Sequence, residues 1–225
     1  LGALGIRYDF DKLVDQVAIH LNEGCAIGWF QGRMEFGPRA LGGRSILGDA
    51  RSDEMQKNLN LKVKYRESFR PFAPSILRED LTDWFQINVD SPYMLMVANI
   101  NDKKIIKMTN EQKKLFGINK LKIKRSDIPA VTHVDYSARI QTVHEKTNLK
   151  YYKLLKKFKD KTGCPVIINT SFNVRGEPIV NTPEDAFNCF MGTEMDNLVI
   201  GNCYLRKKNQ NQKLIKSYKD KFKLD

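Results

Sequence analysis

Apolar positions recur every three or four residues over 9–23, where Leu13, Val14, Val17, Ala18 and Leu21 share one face and Gly24 follows as a stop; this spacing predicts an amphipathic helix. A second is predicted over 148–161, with Tyr151, Leu154, Leu155 and Phe158 inward, lysines outward and Gly163 as terminator. Thr182-Pro183-Glu184-Asp185 opens a third with an N-cap, a proline at the first helical position and early acids. A shorter helix is predicted over 52–61, capped by Ser52 with Asp53 and Glu54 in its first turn. Apolar runs predict strands over 25–30, 165–168 and 198–205 and a core strand over 93–99. Residues 76–86 read as a strand end with a short helix, also core, and 133–143 as a strand-like piece carrying Asp135, Arg139 and Gln141. A chain of 225 residues is long enough for a sizeable core, in one domain or one and a half.

Composition narrows the class. Hydrophobic residues at 41% beside 28% charged describe a soluble globular protein, and no apolar run approaches the ~20 residues that span a bilayer. The start Leu1-Gly2-Ala3-Leu4-Gly5 has neither a basic opening nor a cleavable apolar region, and without an initiator methionine it reads as part of something longer. Cys25, Cys164, Cys189 and Cys203 form no C-x-x-C pair and lie in apolar surroundings, which suggests reduced core residues of a cytoplasmic protein. Three histidines without an H-E-x-x-H pattern argue against a metal site built by this chain. The net charge of +12 calls for an anionic partner, yet much of the lysine falls in 103–125, 146–161 and 206–223. Those segments read as solvated helix faces, a lysine-rich surface insertion or mobile lid over 101–127, and a basic, loosely ordered tail over 207–225.

The informative charges lie elsewhere. Gly32-Arg33-Met34-Glu35-Phe36-Gly37-Pro38-Arg39-Ala40-Leu41-Gly42-Gly43-Arg44-Ser45 joins a predicted strand to the next helical segment and holds four glycines, one proline and three arginines. Glycines let backbone N–H groups approach an anion while arginines supply planar forks of donors, so the stretch reads as a site loop, although it matches neither the Walker nor the Rossmann pattern. Its three arginines, Arg33, Arg39 and Arg44, are the candidates, as anion ligand or as salt-bridge supports. A second cationic run follows in Val63-Lys64-Tyr65-Arg66-Glu67-Ser68-Phe69-Arg70-Pro71-Phe72-Ala73-Pro74. In an extended segment Lys64, Arg66 and Arg70 point to one side, an arrangement that calls for a counter-anion. The bland alternative is a charged edge strand, which the flanking Phe69, Pro71, Phe72 and Pro74 disfavour. Finally, Asn169-Thr170-Ser171-Phe172-Asn173-Val174-Arg175-Gly176-Glu177-Pro178 sets small hydroxyl and amide side chains at the end of an apolar strand, where α/β proteins place ligands.

These motifs, with Ser137-Ala-Arg-Ile-Gln-Thr-Val143, together resemble the C-terminal domain of the NodU/CmcH/TobZ-type O-carbamoyltransferases, in one consistent order from about Leu4 to Leu205. The resemblance implies an α/β fold of YrdC-like type, an open twisted mixed sheet with flanking helices, over 1–206. It also implies a chemistry: ATP and carbamoyl phosphate bind here and form carbamoyl adenylate, for transfer to an acceptor hydroxyl by a separate N-terminal domain of the actin-like ATPase fold. Residue by residue it implies catalytic contacts from Arg39, Lys64 and Arg70, and substrate binding by Arg139, Asn169 and Ser171, with Arg66, Asn173 and Arg175 behind them. Mg2+ is implied with the triphosphate, held by phosphate oxygens and water rather than by a dedicated protein site. The lysine-rich 101–127 segment departs from the family pattern. The competing reading is a basic nucleic-acid-binding module of the same fold; it rests on the net charge, and nucleic acid is not the partner expected.

Overall fold

The computed structural model describes residues 2–121, 123–215 and 218. Its elements in chain order are β1 (Ile6–Arg7), α1 (Phe10–Asn22), β2 (Ile27–Phe30), β3 (Arg44–Asp49), α2 (Met55–Asn58), β4 (Ala73–Leu77), α3 (Leu81–Trp84), β5 (Met96–Asn99), α4 (Asn110–Lys113), α5 (Ile118–Leu121), β6 (Ser137–Val143), α6 (Leu149–Thr162), β7 (Val166–Ser171), α7 (Pro183–Gly192), β8 (Asn197–Ile200) and β9 (Cys203–Arg206). The strands form one open mixed sheet in the order β1-β9-β8-β2-β3-β7-β4-β6-β5. β2 with β8 and β4 with β6 are parallel, and the other neighbours are antiparallel. This is the mixed α/β architecture with flanking helices that the sequence reading expects.

Local chemistry sets the helix ends. The Asp9 carboxylate accepts from Lys12 N at 2.9 Å to start α1, and Asn148 accepts from Tyr151 N at 3.2 Å to start α6. Gly163 ends α6 in the left-handed region at φ +72°, which a side chain resists. Thr182 and Asp185 form a reciprocal capping box at α7, with Pro183 in the first turn. The apolar faces of α1 and α6 pack on each other and over β3, β4 and β7, burying Leu13, Val17, Leu21, Tyr151, Leu155 and Phe158 completely. No helix among the described residues is long and apolar enough to cross a membrane.

Several expectations are corrected. β3 starts at the end of the stretch read as a site loop and runs on through 46–49, for which the sequence predicts no element; all six of its residues are buried because it lies between β2 and β7. The helix expected over 52–61 with Ser52 as its N-cap begins later, at Met55 after Glu54; Ser52 Oγ accepts from Met55 N in the turn ahead of it, and after Asn58 the helix widens into a π-turn, Leu59–Val63. The strand expected over 198–205 is two strands, β8 and β9, turned at Gly201 with φ +56°. The segment over 93–99 is core only at Met94: β5 is an edge strand, and Tyr93, Leu95, Met96 and Val97 stand 65%, 71%, 44% and 56% exposed. Cys164 and Cys189 are buried as expected, whereas Cys25 is half-buried and Cys203 exposed. The 101–127 segment carries α4, α5 and a 3-10 turn, mostly at the surface. Most of the 207–225 tail lies outside the described residues.

Candidate functional site

The long β2–β3 loop is fixed at its base. Arg44 is buried beneath it: one guanidinium nitrogen donates to Gln31 O and Gly43 O, each at 3.0 Å, and the other to Gly32 O at 3.2 Å and Asn181 O at 3.3 Å. Its plane lies over the Phe30 ring, 3.5 Å from the centroid. Arg44 is therefore a support, but through carbonyl oxygens and an aromatic face rather than the salt bridge expected. Glu35 folds back to accept from the backbone N–H of Leu41 and of Gly43, and Trp29 Nε1 donates to Gly42 O. With its base held in this way, the loop presents Arg39 at an exposed tip.

The second cationic run is not extended. Lys64 follows the π-turn in a helical conformation and Tyr65 takes a left-handed φ of 49°, so strand parity does not align Lys64, Arg66 and Arg70. A buried amide organises the turn instead. Asn60 Nδ2 donates to Ser68 O and Arg70 O, while its Oδ1 accepts from Arg66 Nε at 2.6 Å. Arg66 also lies over the Phe72 ring, and Arg70, half exposed, faces Glu67 at 3.7 Å.

Lys64 Nζ is enclosed by oxygens of the fourth motif: Ser171 O at 2.5 Å, Ser171 Oγ at 3.3 Å, Asn173 O at 2.9 Å and Asn173 Oδ1 at 2.7 Å. Ser171 Oγ in turn donates to Asn173 Oδ1 at 2.6 Å. Burial, followed by the neighbouring Arg66, pushes the Lys64 pKa down to about 7. Burial, followed by Arg70, pushes Arg66 down to about 10. Arg139 on β6 is also lowered, by burial and then by Arg39, and its Nε is buried without a partner.

All nine residues singled out from the sequence border two adjoining cavities. One, of about 320 Å³, is lined by Lys64, Arg66, Arg70, Ser171, Asn173 and Arg175, with Glu177 on its rim. The other, of about 140 Å³, is lined by Arg39, Arg66, Met94, Arg139, Asn169 and Ser171. Arg66 and Ser171 belong to both, so the two form a composite cleft. A larger hollow of about 550 Å³ beside Glu35, Gln141, His144 and Lys150 contains none of the nine. Size does not decide between them; the concentration of like charge does, because six cations line the composite cleft and burial, then a neighbouring cation, lowers the pKa of Lys64, Arg66 and Arg139.

Three contributors, Asn60, Ser75 and Tyr151, lay outside the sequence reading of the site, and a fourth, Gln141, was open there as an edge residue or a ligand. Asn60 shapes the 64–70 turn, and its one signal is an amide inside the apolar Leu59-Asn-Leu-Lys-Val63 stretch, where it is fully buried. Gln141, Ser75 and Tyr151 join Asn169 in a buried hydrogen-bonded chain. Gln141 stood out as a polar strand residue, whereas nothing in the sequence marks Ser75 or Tyr151.

A mixed α/β domain with a composite cationic cleft at its strand ends is the class these features define. The chain belongs to the family described as carbamoyltransferase C-terminus, whose model matches residues 18–207. It is 58% identical over 219 residues to an uncharacterised protein of Synechocystis sp., covering 97% of this chain and 36% of that protein. It is 40% identical to nodulation protein NolO of Bradyrhizobium diazoefficiens, covering 88% of this chain and 33% of the relative. To a 3'-hydroxymethylcephem-O-carbamoyltransferase of Streptomyces clavuligerus it is 35% identical, covering 83% and 32%. The chain thus spans about a third of the length of these curated relatives. Among solved structures, full-length HypF in its phosphate- and nucleotide-bound form superposes with a TM-score of 0.50 at 16% identity, covering 92% of this chain and 22% of that one. That likeness concerns the fold.

Proposed function

We propose that this domain is the adenylate-forming part of an O-carbamoyltransferase, and that the composite cleft binds ATP and carbamoyl phosphate side by side. The observation that carries the reading is the convergence of Arg39, Lys64, Arg66, Arg70, Arg139 and Arg175 on two cavities that share a wall. Cations so placed repel one another, and Lys64 and Arg66 are desolvated as well; a polyanion in the cleft relieves both costs. The larger cavity suits the triphosphate, with Lys64, Arg66, Arg70 and Arg175 around it. The smaller suits carbamoyl phosphate, with Arg39 and Arg139 on its phosphate oxygens.

In balanced form, water releases inorganic phosphate from carbamoyl phosphate, and the carbamate oxygen then bonds to the α-phosphorus of ATP as pyrophosphate leaves. The domain contributes position and charge. Fixed cations hold two anionic reactants together and stabilise the charge that moves onto the departing phosphate oxygens. Mg2+ would enter with the triphosphate and add to the neutralisation of its charge, with no residue of this chain assigned to hold it. Transfer from the adenylate to an acceptor hydroxyl is assigned to an N-terminal domain of the full-length protein, in keeping with the share of each relative that this chain spans.

Calorimetric titration of the purified chain with Mg-ATP and with carbamoyl phosphate tests the reading. Saturable binding of both is expected, weakened by about tenfold or more in Arg66→Ala and Arg139→Ala, which is about 1.4 kcal/mol. Absence of binding to either ligand overturns it, as does unchanged affinity in both variants.

A further inference from the structure

We infer that Asn169, held in one orientation by a buried relay of Gln141, Ser75 and Tyr151, is a specificity-determining residue of the smaller cavity, set to accept a hydrogen bond from the N–H of a carbamoyl group. The inference rests on the proposed binding of carbamoyl phosphate there and adds how the cavity distinguishes it from other acyl phosphates.

Asn169 lines the smaller cavity and is 1% exposed. Its Nδ2 uses both protons inside the protein, donating to Ala40 O at 3.0 Å and to Gln141 Oε1 at 2.7 Å. Its Oδ1 is buried with no partner. Turning the amide over would set Oδ1 against two acceptor oxygens, Ala40 O and Gln141 Oε1, so the network forbids the alternative. Gln141 cannot turn either, because its Nε2 donates to Leu41 O at 2.9 Å while its Oε1 also accepts from Ser75 Oγ at 2.5 Å. Ser75 thereby commits its single proton to Gln141 and takes one from the Tyr151 hydroxyl at 2.9 Å. Burial keeps that phenol protonated far above its ordinary range. The proton order is therefore fixed from Tyr151 through Ser75 to Gln141, and Asn169 is left with an acceptor to offer.

An unmatched amide oxygen this deep in a protein is uncommon and costly. Beside it stand Arg39 and Arg139, the latter with its own unpartnered Nε. The cavity, at about 140 Å³, is well below the ~300 Å³ at which pockets for drug-sized ligands begin. An occupant with anionic oxygens at one end and an N–H donor at the other matches the cavity's arginines and the acceptor of Asn169, and carbamoyl phosphate has both. Acetyl phosphate has the same phosphate and nearly the same shape, but its methyl group cannot donate. A site built to bond an N–H rejects the analogue lacking it far more strongly than an apolar pocket rejects a change of size. Gln141, Ser75 and Tyr151 reach the ligand only through Asn169 and are positioning residues.

The test is calorimetric titration of the purified chain with carbamoyl phosphate, acetyl phosphate and inorganic phosphate, for the wild type, Asn169→Leu and Gln141→Met. Carbamoyl phosphate is expected to bind at least about tenfold more tightly than acetyl phosphate to the wild type, which is about 1.4 kcal/mol. In both variants that preference falls to within about threefold, while the affinity for inorganic phosphate changes by less than about threefold. A purely structural role would not move the ratio of the two acyl phosphates. Should Asn169→Leu fail to fold, Gln141→Met carries the test. Equal binding of the two acyl phosphates by the wild type overturns this inference and leaves carbamoyl phosphate binding standing, as does an undiminished preference in a folded Gln141→Met. Binding of none of the three ligands overturns both.

Discussion

Replacing Lys64 with methionine removes a cation from an enclosed position, and the effect on stability is expected to depend on pH. Burial and Arg66 push the Lys64 pKa from 10.5 down to about 7, while the four oxygens around Nζ favour the charged form and act against the full shift. The unfolded lysine keeps its proton to the upper of these values and the native one releases it near the lower. Between them the unfolded state binds more protons, so stability rises with pH across that window and is flat below it. The full shift corresponds to roughly 5 kcal/mol at about 1.4 kcal/mol per pKa unit. Between pH 7 and 9 the gain is about 2 kcal/mol for the full shift and about 0.5 kcal/mol for half of it. Methionine has no such proton. Its cost at neutral pH is chiefly Asn173 O, a half-buried acceptor left unmatched, at about 1 kcal/mol, the low end of the range for a buried one, because Ser171 O keeps Asn173 N and the two side chains keep each other. Lys207, lowered to about 8 by burial, titrates in the same sense in both proteins and cancels. Urea unfolding from pH 6 to 9.5, followed by fluorescence of the buried Trp29 and Trp84, gives the difference directly. The stability of wild type minus Lys64→Met must grow as pH rises from 7 to 9. A difference that stays constant refutes the placement of a desolvated ammonium among Ser171 and Asn173.

Two further substitutions probe the loop that presents Arg39. Gly42 has φ +105°, and a Cβ there would lie 2.5 Å from Tyr151 Cδ1, so Gly42→Ala is expected to cost about 2 kcal/mol or more and lower the melting temperature by roughly 4–8 °C; an unchanged thermal scan would sink the assignment. Arg44→Lys replaces a fork that bridges four carbonyls with a point charge and is expected to cost about 2 kcal/mol in urea unfolding; equal midpoints would show that the fork is dispensable.

The parts of the fold that were legible in the sequence are those set by neighbours in the chain. α1, α6 and α7 announce themselves through apolar spacing, caps and terminating glycines, and each of those signals acts within a turn or two. β3 could not be read because its burial comes from β2 and β7 on either side, not from an apolar run; Ser45, Gly48 and Asp49 interrupt the pattern. β5 failed in the opposite direction. Met96 and Val97 are apolar enough for a core strand, yet the position at the sheet edge, which no local signal reports, leaves them in solvent.

The site divides along the same line. Its cations and its Ser171 and Asn173 were legible as residue types that converge on anions, and the structure does bring all nine residues to one composite cleft. The reason given for part of that convergence was wrong: Lys64, Arg66 and Arg70 meet through a π-turn held by Asn60, not through the parity of an extended strand. What orients Asn169 is set by register between strands far apart in the chain. Ser75 stands opposite Gln141 because β4 pairs in parallel with β6, and Asn169 stands opposite Ala73 because β7 pairs antiparallel with β4. A slip of one residue in either ladder would turn Ser75, Gln141 or Asn169 to the other face of the sheet and dissolve the relay. The charges that attract a ligand are therefore written locally, whereas the acceptor that would distinguish one ligand from another exists only once three strands and α6 have assembled. For this reason a substitution at Tyr151, remote from the cleft in sequence and in contact with no proposed ligand, belongs to the same unit as Asn169.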